Sequence, residues 1–128
     1  MNAYKTRNNA AAGKISLIKE DMPLVYVASP FSGDVEKNVM NARRYCRFAA
    51  KSGVVPLAPH LLLPQFMSEK TEREAAMLMN RTILGRCDEL WMFGDRITDG
   101  MAWEWVRARE LGMPIRYFTD DCREKRRR

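Results

Sequence analysis

Residues 87–104 decide the fold of this chain and read Cys-Asp-Glu-Leu-Trp-Met-Phe-Gly-Asp-Arg-Ile-Thr-Asp-Gly-Met-Ala-Trp-Glu. Residues 89–93 form a short, mainly apolar run, which is typical of a buried strand in a parallel sheet. Residues 94–99 form the loop after this strand, and a helix is predicted from there to about residue 111, where Gly112 ends it. A strand that leads through a loop into a helix is the repeating unit of α/β proteins.

The same unit recurs on either side of this stretch. Three further strands are predicted, at residues 24–28, 54–58 and 114–118. A helix capped by Asp34 extends to Gly53, and another covers residues 72–86. Pro56 places the second strand at an edge of the sheet, because proline cannot donate to a central ladder. The alternation predicts an α/β, flavodoxin-like three-layer sandwich with a parallel sheet in the order 2-1-3-4.

Two local predictions complete this outline. Residues 59–66 are expected to form an apolar loop bounded by prolines. The helix over residues 72–86 is expected to turn one apolar set of side chains inward, namely Ala75, Ala76, Met79, Ile83 and Leu84.

The chain has 128 residues and a formal net charge of +6. Residues 123–128 carry a net +4 and residues 1–22 a net +2, so the residues between them sum to zero. We therefore expect a flexible N-terminal arm (1–22), one α/β domain (23–121) and a basic C-terminal tail (122–128). Because the basic residues belong to the ends, nucleic acid is not expected to be the main partner.

Cys46, Cys87 and Cys122 show neither a disulfide framework nor zinc-ligand spacing. Buried, reduced thiols, no bound metal and a cytoplasmic location are therefore expected. No apolar run reaches transmembrane length, so no membrane partner is expected, and no cofactor is expected either.

Three polar loops are predicted to meet at one edge of the sheet: residues 29–34, the segment around His60, and residues 94–104. In open α/β sheets, ligands bind outside the carboxyl ends of the strands, where such loops lie. Glu104 is the candidate functional group in this crevice. The alternative is that Glu104 only complements the positive end of its helix, as acids in a first turn often do.

Three segments resemble the nucleoside 2-deoxyribosyltransferase-like superfamily, including its 2'-deoxynucleoside 5'-monophosphate N-glycosidase branch. They are residues 26–33 (YVASPFSG), 59–64 (PHLLLP) and 87–104, which contains the Gly-x-x-x-Glu pattern from Gly100 to Glu104. The match is closest to short, uncharacterised proteins of the DUF4406 type. The resemblance implies a nucleoside or nucleotide N-glycosidase or deoxyribosyltransferase in which Glu104 attacks the anomeric carbon of the sugar.

The resemblance also implies a set of substrate-binding residues. From the first strand and its loop these are Tyr26, Ser29, Pro30, Phe31, Ser32 and Gly33. Further along the chain they are His60, Asn80, Gly94, Asp95, Asp99, Gly100 and Met101. His60 has two interpretations: it hydrogen-bonds ligand hydroxyls, or it satisfies backbone groups of its own turn.

Asn80 departs from the family pattern, which has an aspartate there that helps hold and protonate the base. An amide can hydrogen-bond a base but cannot act as a general acid. Either another group such as Asp95, Asp99 or a water supplies the proton, or the chain is a non-catalytic nucleotide-binding module or sensor. The phosphate-binding Arg-Gly-Gly of the monophosphate branch is also replaced here, by residues 31–33 (Phe-Ser-Gly).

Trp103 and Trp105 flank Glu104, and at least one of them is expected to leave the core. Family members form oligomers in which a neighbour completes the site, and Trp105, Leu62 and Phe66 are apolar residues that need cover. A homo-oligomer that binds a small nucleoside or nucleotide is therefore expected. Asp88 is expected to have a structural role at the start of its strand.

Overall fold

The computed structural model describes residues 21–126 of the chain, so the predicted N-terminal arm lies almost entirely outside the described residues. The strands are β1 (Leu24–Ala28), β2 (Val55–Leu57), β3 (Glu89–Phe93), β4 (Ile115–Phe118) and β5 (Glu124–Lys125). The helices are α1 (Val35–Lys51), α2 (Pro59–Leu62), α3 (Arg73–Arg86) and α4 (Asp99–Glu110), and a single 3₁₀ turn (Leu63–Gln65) follows α2.

The sheet has the order β2-β1-β3-β4-β5, and its first four strands pair in parallel. The predicted order 2-1-3-4 and the flavodoxin-like class are therefore confirmed. Asp88 has the structural role expected of it, since its Oδ2 accepts a hydrogen bond from the Leu24 backbone N–H at 2.8 Å. β2 lies at the sheet edge, as Pro56 predicts.

β5 is a strand that the sequence does not predict, since residues 122–128 were expected to form only a basic tail. It pairs antiparallel with β4. Arg116 on β4 donates two hydrogen bonds to the Glu124 carboxylate, at 2.8 and 2.6 Å, and Lys125 donates to the Gly94 carbonyl at 3.3 Å. These bonds hold the start of the predicted tail against the sheet.

Side chains alternate along the strands and fill two separate cores. On one face, α1 covers the aromatic residues Trp91, Phe93 and Phe118. On the other face, α3 and α4 cover Tyr26, Leu90 and other apolar residues. The β1 and β3 strands are adjacent while their following helices lie on opposite faces, so a crevice opens between them at their carboxyl ends.

Two local predictions are wrong. Residues 59–65 are helical rather than an irregular loop, because Pro59 and Pro64 occupy the first turns of α2 and of the 3₁₀ turn, where proline needs no N–H partner. In α3, Ala75 and Met79 are exposed instead of inward-facing, and Leu84 is buried as expected. Within residues 21–126, no helix is both long enough and apolar enough to cross a bilayer.

Candidate active site

A cavity of about 410 Å³ lies at the carboxyl ends of β1 and β3. Its volume is within the range of small-molecule sites, which is about 300–1,000 Å³. The loop after β1, the start of α2, one stripe of α3 and the first turns of α4 line it. The three loops that were predicted to meet at one sheet edge therefore do so.

Glu104 and Tyr26 form the polar pair of this cavity. The Thr98 side chain caps α4 by accepting the Met101 backbone N–H at 3.2 Å, which starts the helix so that Glu104 reaches the end of β1. There the Tyr26 hydroxyl donates a short hydrogen bond to Glu104 Oε2. The helix-end interpretation does not account for this arrangement, since the carboxyl is partly buried and directed at a side chain of another element.

Burial raises the pKa of Glu104 to about 7, and the hydrogen bond from Tyr26 opposes this rise. Burial, together with the Glu104 charge, raises the pKa of Tyr26 well above its ordinary value. Tyr26 therefore stays protonated and remains a hydrogen-bond donor at neutral pH. The carboxyl, in contrast, changes its charge near neutrality, which is typical of functional carboxyl groups.

Ser29 and His60 form a second polar pair. Ser29 is buried, and its Oγ lies 3.1 Å from His60 Nε2. The Phe31 ring packs edge-on against His60, with 5.9 Å between ring centroids. Burial lowers the pKa of His60 to about 4, so its imidazole is neutral at pH 7. The hydrogen bond joins His60 to another cavity residue, and contact with a ligand hydroxyl stays a prediction.

Asn80 reaches the cavity from α3. Its Oδ1 is buried without a hydrogen-bond partner among the described residues. Buried polar atoms are nearly always paired, so an orphaned amide oxygen in a cavity wall marks a place where a ligand can bind.

Ten of the fourteen predicted site residues line the cavity. In addition to Tyr26, Ser29, Phe31, His60, Asn80 and Glu104, the structure places Ser32, Asp99, Gly100 and Met101 around it.

The other four, Pro30, Gly33, Gly94 and Asp95, do not line it. Gly33 is in an exposed turn with φ +98°, and Gly94 (φ +100°) lies beside Pro30. The Gly94 N–H donates to the Phe118 carbonyl at 3.0 Å, so this glycine extends the pairing between the ends of β3 and β4. Asp95 is exposed, and its Oδ1 lies 3.7 Å from Lys125 Nζ, because β5 holds that lysine beside the loop. Asp95 is therefore no longer a candidate proton donor.

Eight further residues within the described part of the chain line the cavity without having been predicted. On the α3 side these are Glu69, Arg73, Ala76 and Met77, and on the α4 side they are Arg96, Ile97, Thr98 and Trp103. Arg73, Ala76 and Met77 lie seven, four and three residues before Asn80, which puts all four on one helix face. Counting back from Asn80 would therefore have identified this wall.

The two tryptophans of α4 have different surroundings. Trp103 lines the cavity, and the Arg81 guanidinium lies 5.6 Å from its ring centroid. Trp105 packs against the core, and its Nε1–H donates to the Tyr117 hydroxyl at 2.8 Å. Trp105 therefore has a packing role in the core, and its place at an interface stays a prediction. In the described part of the chain, no group of three or more His, Cys, Asp or Glu could hold a metal ion.

Comparison with known families gives a match over residues 23–118 to a domain of unknown function, DUF7768. The chain belongs to this family. The matching model is thus DUF7768 and not the DUF4406 type that the sequence motifs predict. None of the curated proteins matches the chain significantly.

Among solved structures, the chain is similar to the 2-deoxyribosyltransferase of the psychrotolerant bacterium Bacillus psychrosaccharolyticus. The two share 27% sequence identity with a TM-score of 0.54, over 75% of this chain and 72% of that one. The nucleoside 2-deoxyribosyltransferase-like fold that residues 26–104 predict is therefore supported.

Proposed function

We propose that this protein cleaves the N-glycosidic bond of a nucleoside or a nucleoside 5'-monophosphate, and passes the sugar to water or to another base. The similar solved structure is that of a 2-deoxyribosyltransferase, which supports this class of substrate. The observation that carries the proposal is the Tyr26–Glu104 pair, because it places a partly buried carboxyl in a cavity of suitable size.

The chemistry requires a carboxylate whose charge opposes that of an oxocarbenium-like transition state. In the first step the Glu104 carboxylate attacks the anomeric carbon, and the bond from that carbon to the base nitrogen breaks. The resulting glycosyl ester is then attacked by water or by an acceptor base, which returns the carboxylate. The Tyr26 hydroxyl orients the carboxyl and keeps part of it ionised at neutral pH, since its hydrogen bond lowers the pKa of Glu104.

The remaining polar groups suit the sugar and its 5'-substituent. Ser29, Ser32 and His60 lie together on one side of the cavity and can bind sugar hydroxyls. Arg73 and Arg96 are the cationic residues among those that line the cavity, and they are the candidates to bind a 5'-phosphate.

Asn80 favours a second candidate function, that of a nucleotide-binding module or sensor without turnover. The amide can bind a base but cannot give it a proton. In this alternative a nucleotide binds tightly and no base is released.

Incubation with a panel of nucleosides and 5'-monophosphates, followed by chromatography for free base, tests the proposal. Activity should increase with pH through about 7, because the nucleophile must be ionised. Glu110→Gln is the matched control, since it makes the same change on the same helix at an exposed residue outside the cavity. Tight binding of a nucleotide with no release of base would establish the sensor instead.

We also propose that copies of the chain associate. Four large apolar side chains beside the cavity-lining segments are exposed: Leu62, Phe66, Leu78 and Met79, of which Phe66 is 65% exposed. Exposed apolar groups of this kind are typical of interaction surfaces. Light scattering at micromolar concentration should show a dimer or a larger oligomer, and a monomer would contradict the proposal.

A further inference from the structure

The wall between α3 and α4 has the groups that would hold a flat heteroaromatic ring. Trp103 and Met77 offer an aromatic ring and a thioether for the face of such a ring, and Asn80 offers an amide for its edge. Arg81 lies over the Trp103 ring and braces it from α3. If the proposed function holds, this wall is where the base of the glycoside lies.

No residue of this wall can protonate a base as it leaves. A neutral base departs as an anion unless it is protonated, and a positioned acid contributes about 10²–10⁴-fold to such steps. The Asn80 amide carries no acidic proton. The Tyr26 hydroxyl already donates its hydrogen bond to Glu104. His60 is neutral at pH 7, since burial lowers its pKa to about 4.

Two further carboxyl groups line the cavity, but neither is suited to this task. Glu69 and Asp99 are both exposed. Glu69 also pairs with Arg73 at 3.4 Å. A general acid must be held in place against the leaving group, and neither of these exposed side chains is enclosed by the wall.

The same wall suits a positively charged ring. Among the described residues that line the cavity, three carry carboxyl groups and two carry guanidinium groups, so the formal charge of these side chains is negative when Glu104 is ionised. The orphaned Asn80 Oδ1 is a hydrogen-bond acceptor without a partner among the described residues, and an acceptor suits a ring edge that carries positive charge. An indole face also attracts cations, as the Arg81 guanidinium 5.6 Å from the Trp103 ring centroid shows.

We propose that the leaving group is a base that already carries a positive charge in the glycoside, as in an N7-alkylated purine nucleoside or a pyridinium riboside. This inference rests on the proposed function. Glu104 forms a C–O bond to the anomeric carbon while the C–N bond breaks, and the electron pair of that bond neutralises the ring nitrogen. No proton is needed. Water then attacks the anomeric carbon, releases the sugar and the Glu104 carboxylate, and gives one proton to solvent.

Base release from 7-methylguanosine, nicotinamide riboside and guanosine tests this inference. Each is supplied as nucleoside and as 5'-monophosphate, and each rate is divided by the rate without enzyme, because cationic glycosides are intrinsically less stable. We expect the enhancement for a cationic glycoside to exceed that for guanosine by about 100-fold or more. Which of the two cationic substrates reacts identifies the purine or the pyridinium class.

Asn80→Asp and Asn80→Ala separate the role of residue 80 from intrinsic reactivity. The quantity compared is kcat/KM for the cationic substrate divided by kcat/KM for guanosine. At pH 6 the Asp variant should cleave guanosine faster and so lower this ratio at least about tenfold. The Ala variant should not cleave guanosine faster. If the parent protein gives equal rate enhancements for guanosine and 7-methylguanosine, the inference is overturned but the proposed function stands. The same holds if the Asp variant leaves the ratio unchanged. Absence of base release from every glycoside overturns the proposed function as well, and release that survives Glu104→Gln overturns the covalent mechanism on which the inference depends. If the Asp variant fails to fold, the parent's own substrate comparison decides.

Discussion

The two faces of the sheet are filled by different kinds of side chain, although the same strands supply both. Along β1, Val25 and Val27 point to the α1 face, while Tyr26 points to the α3–α4 face. The α1 face is packed with aromatic rings, among them Phe93, whose ring stacks 4.8 Å from that of Phe118. The α3–α4 face combines apolar packing with a carboxyl, a phenol and an amide that has no partner.

This difference indicates that one face supplies stability while the other accommodates groups that cost stability. Closely packed aromatic rings contribute through buried apolar area and ring geometry. A buried carboxyl with a raised pKa and an orphaned amide oxygen each lower stability. Substitutions on the two faces should therefore have opposite consequences for activity and stability.

Glu104→Gln should have the largest effect, which is on activity. The amide keeps the shape of the side chain but cannot form the ester or balance the developing positive charge. Base release should fall by about three orders of magnitude or more, equivalent to about 4 kcal/mol of barrier. Steady-state assays of Glu104→Gln and of the control Glu110→Gln measure this fall in rate. An active Glu104→Gln protein would exclude the covalent mechanism.

Phe93→Ala should have the largest effect on stability. Phe93 is fully buried and stacks on Tyr45, with 4.5 Å between centroids, so truncation leaves a cavity in the aromatic core. The free energy of unfolding should fall by about 3–4 kcal/mol. Urea denaturation measures this loss, and a loss below about 1 kcal/mol would show that the aromatic face is not the stabilising one.

Glu104→Gln should increase the stability of the protein while it removes activity. The pKa of Glu104 is raised from 4.5 to about 7 in the folded protein. Its ionisation therefore does not lower the free energy of unfolding below about pH 4, and lowers that free energy by the full amount above about pH 7. The variant should therefore gain at most about 3 kcal/mol at pH 8, since each pKa unit corresponds to about 1.4 kcal/mol. Thermal unfolding at pH 4 and pH 8 measures the gain, and a pH-independent difference would contradict it.

Tyr26→Phe should have the smallest effect of the four. Loss of the hydroxyl removes the hydrogen bond that lowers the pKa of Glu104, so the midpoint of the pH–activity curve should move to higher pH. A hydrogen bond to a charged group is worth about 1.5–3 kcal/mol, so activity at pH 7 should fall about 10-fold or more. An unchanged pH midpoint would mean that Tyr26 does not influence the carboxyl.

The sequence predicts the fold well where a local pattern, such as an apolar run or a helix cap, coincides with the segment that the folded protein buries or caps. β1 and β3 begin and end where their apolar runs do, and Asp34 caps α1 as expected, with its Oδ1 3.2 Å from the Lys37 backbone nitrogen. β5 escapes prediction because two charged residues carry no strand pattern. Its position depends on pairing with β4 and on the Arg116–Glu124 contact, which no pattern within residues 124–125 reveals.

The site is only partly predictable for a similar reason. The end of β1 and the start of α4 follow from chain topology, which places Tyr26 and Glu104 at one edge. On α3 only Asn80 was predicted, and Arg73 and Met77 have no pattern of their own, since only their spacing from Asn80 places them on the same helix face. Asp95 was misplaced because its ion pair with Lys125 depends on the unpredicted β5 strand.

The most direct test of the account is to trap the sugar on Glu104. The protein is incubated with a nucleoside that carries fluorine at C2 of the sugar, which slows the second step, then quenched in acid and measured by mass spectrometry. The covalent mechanism predicts a mass increase equal to the glycosyl group, located on the peptide that contains Glu104 and absent from the Glu104→Gln protein. Release of base with no adduct on Glu104, or an adduct on another residue, would contradict it.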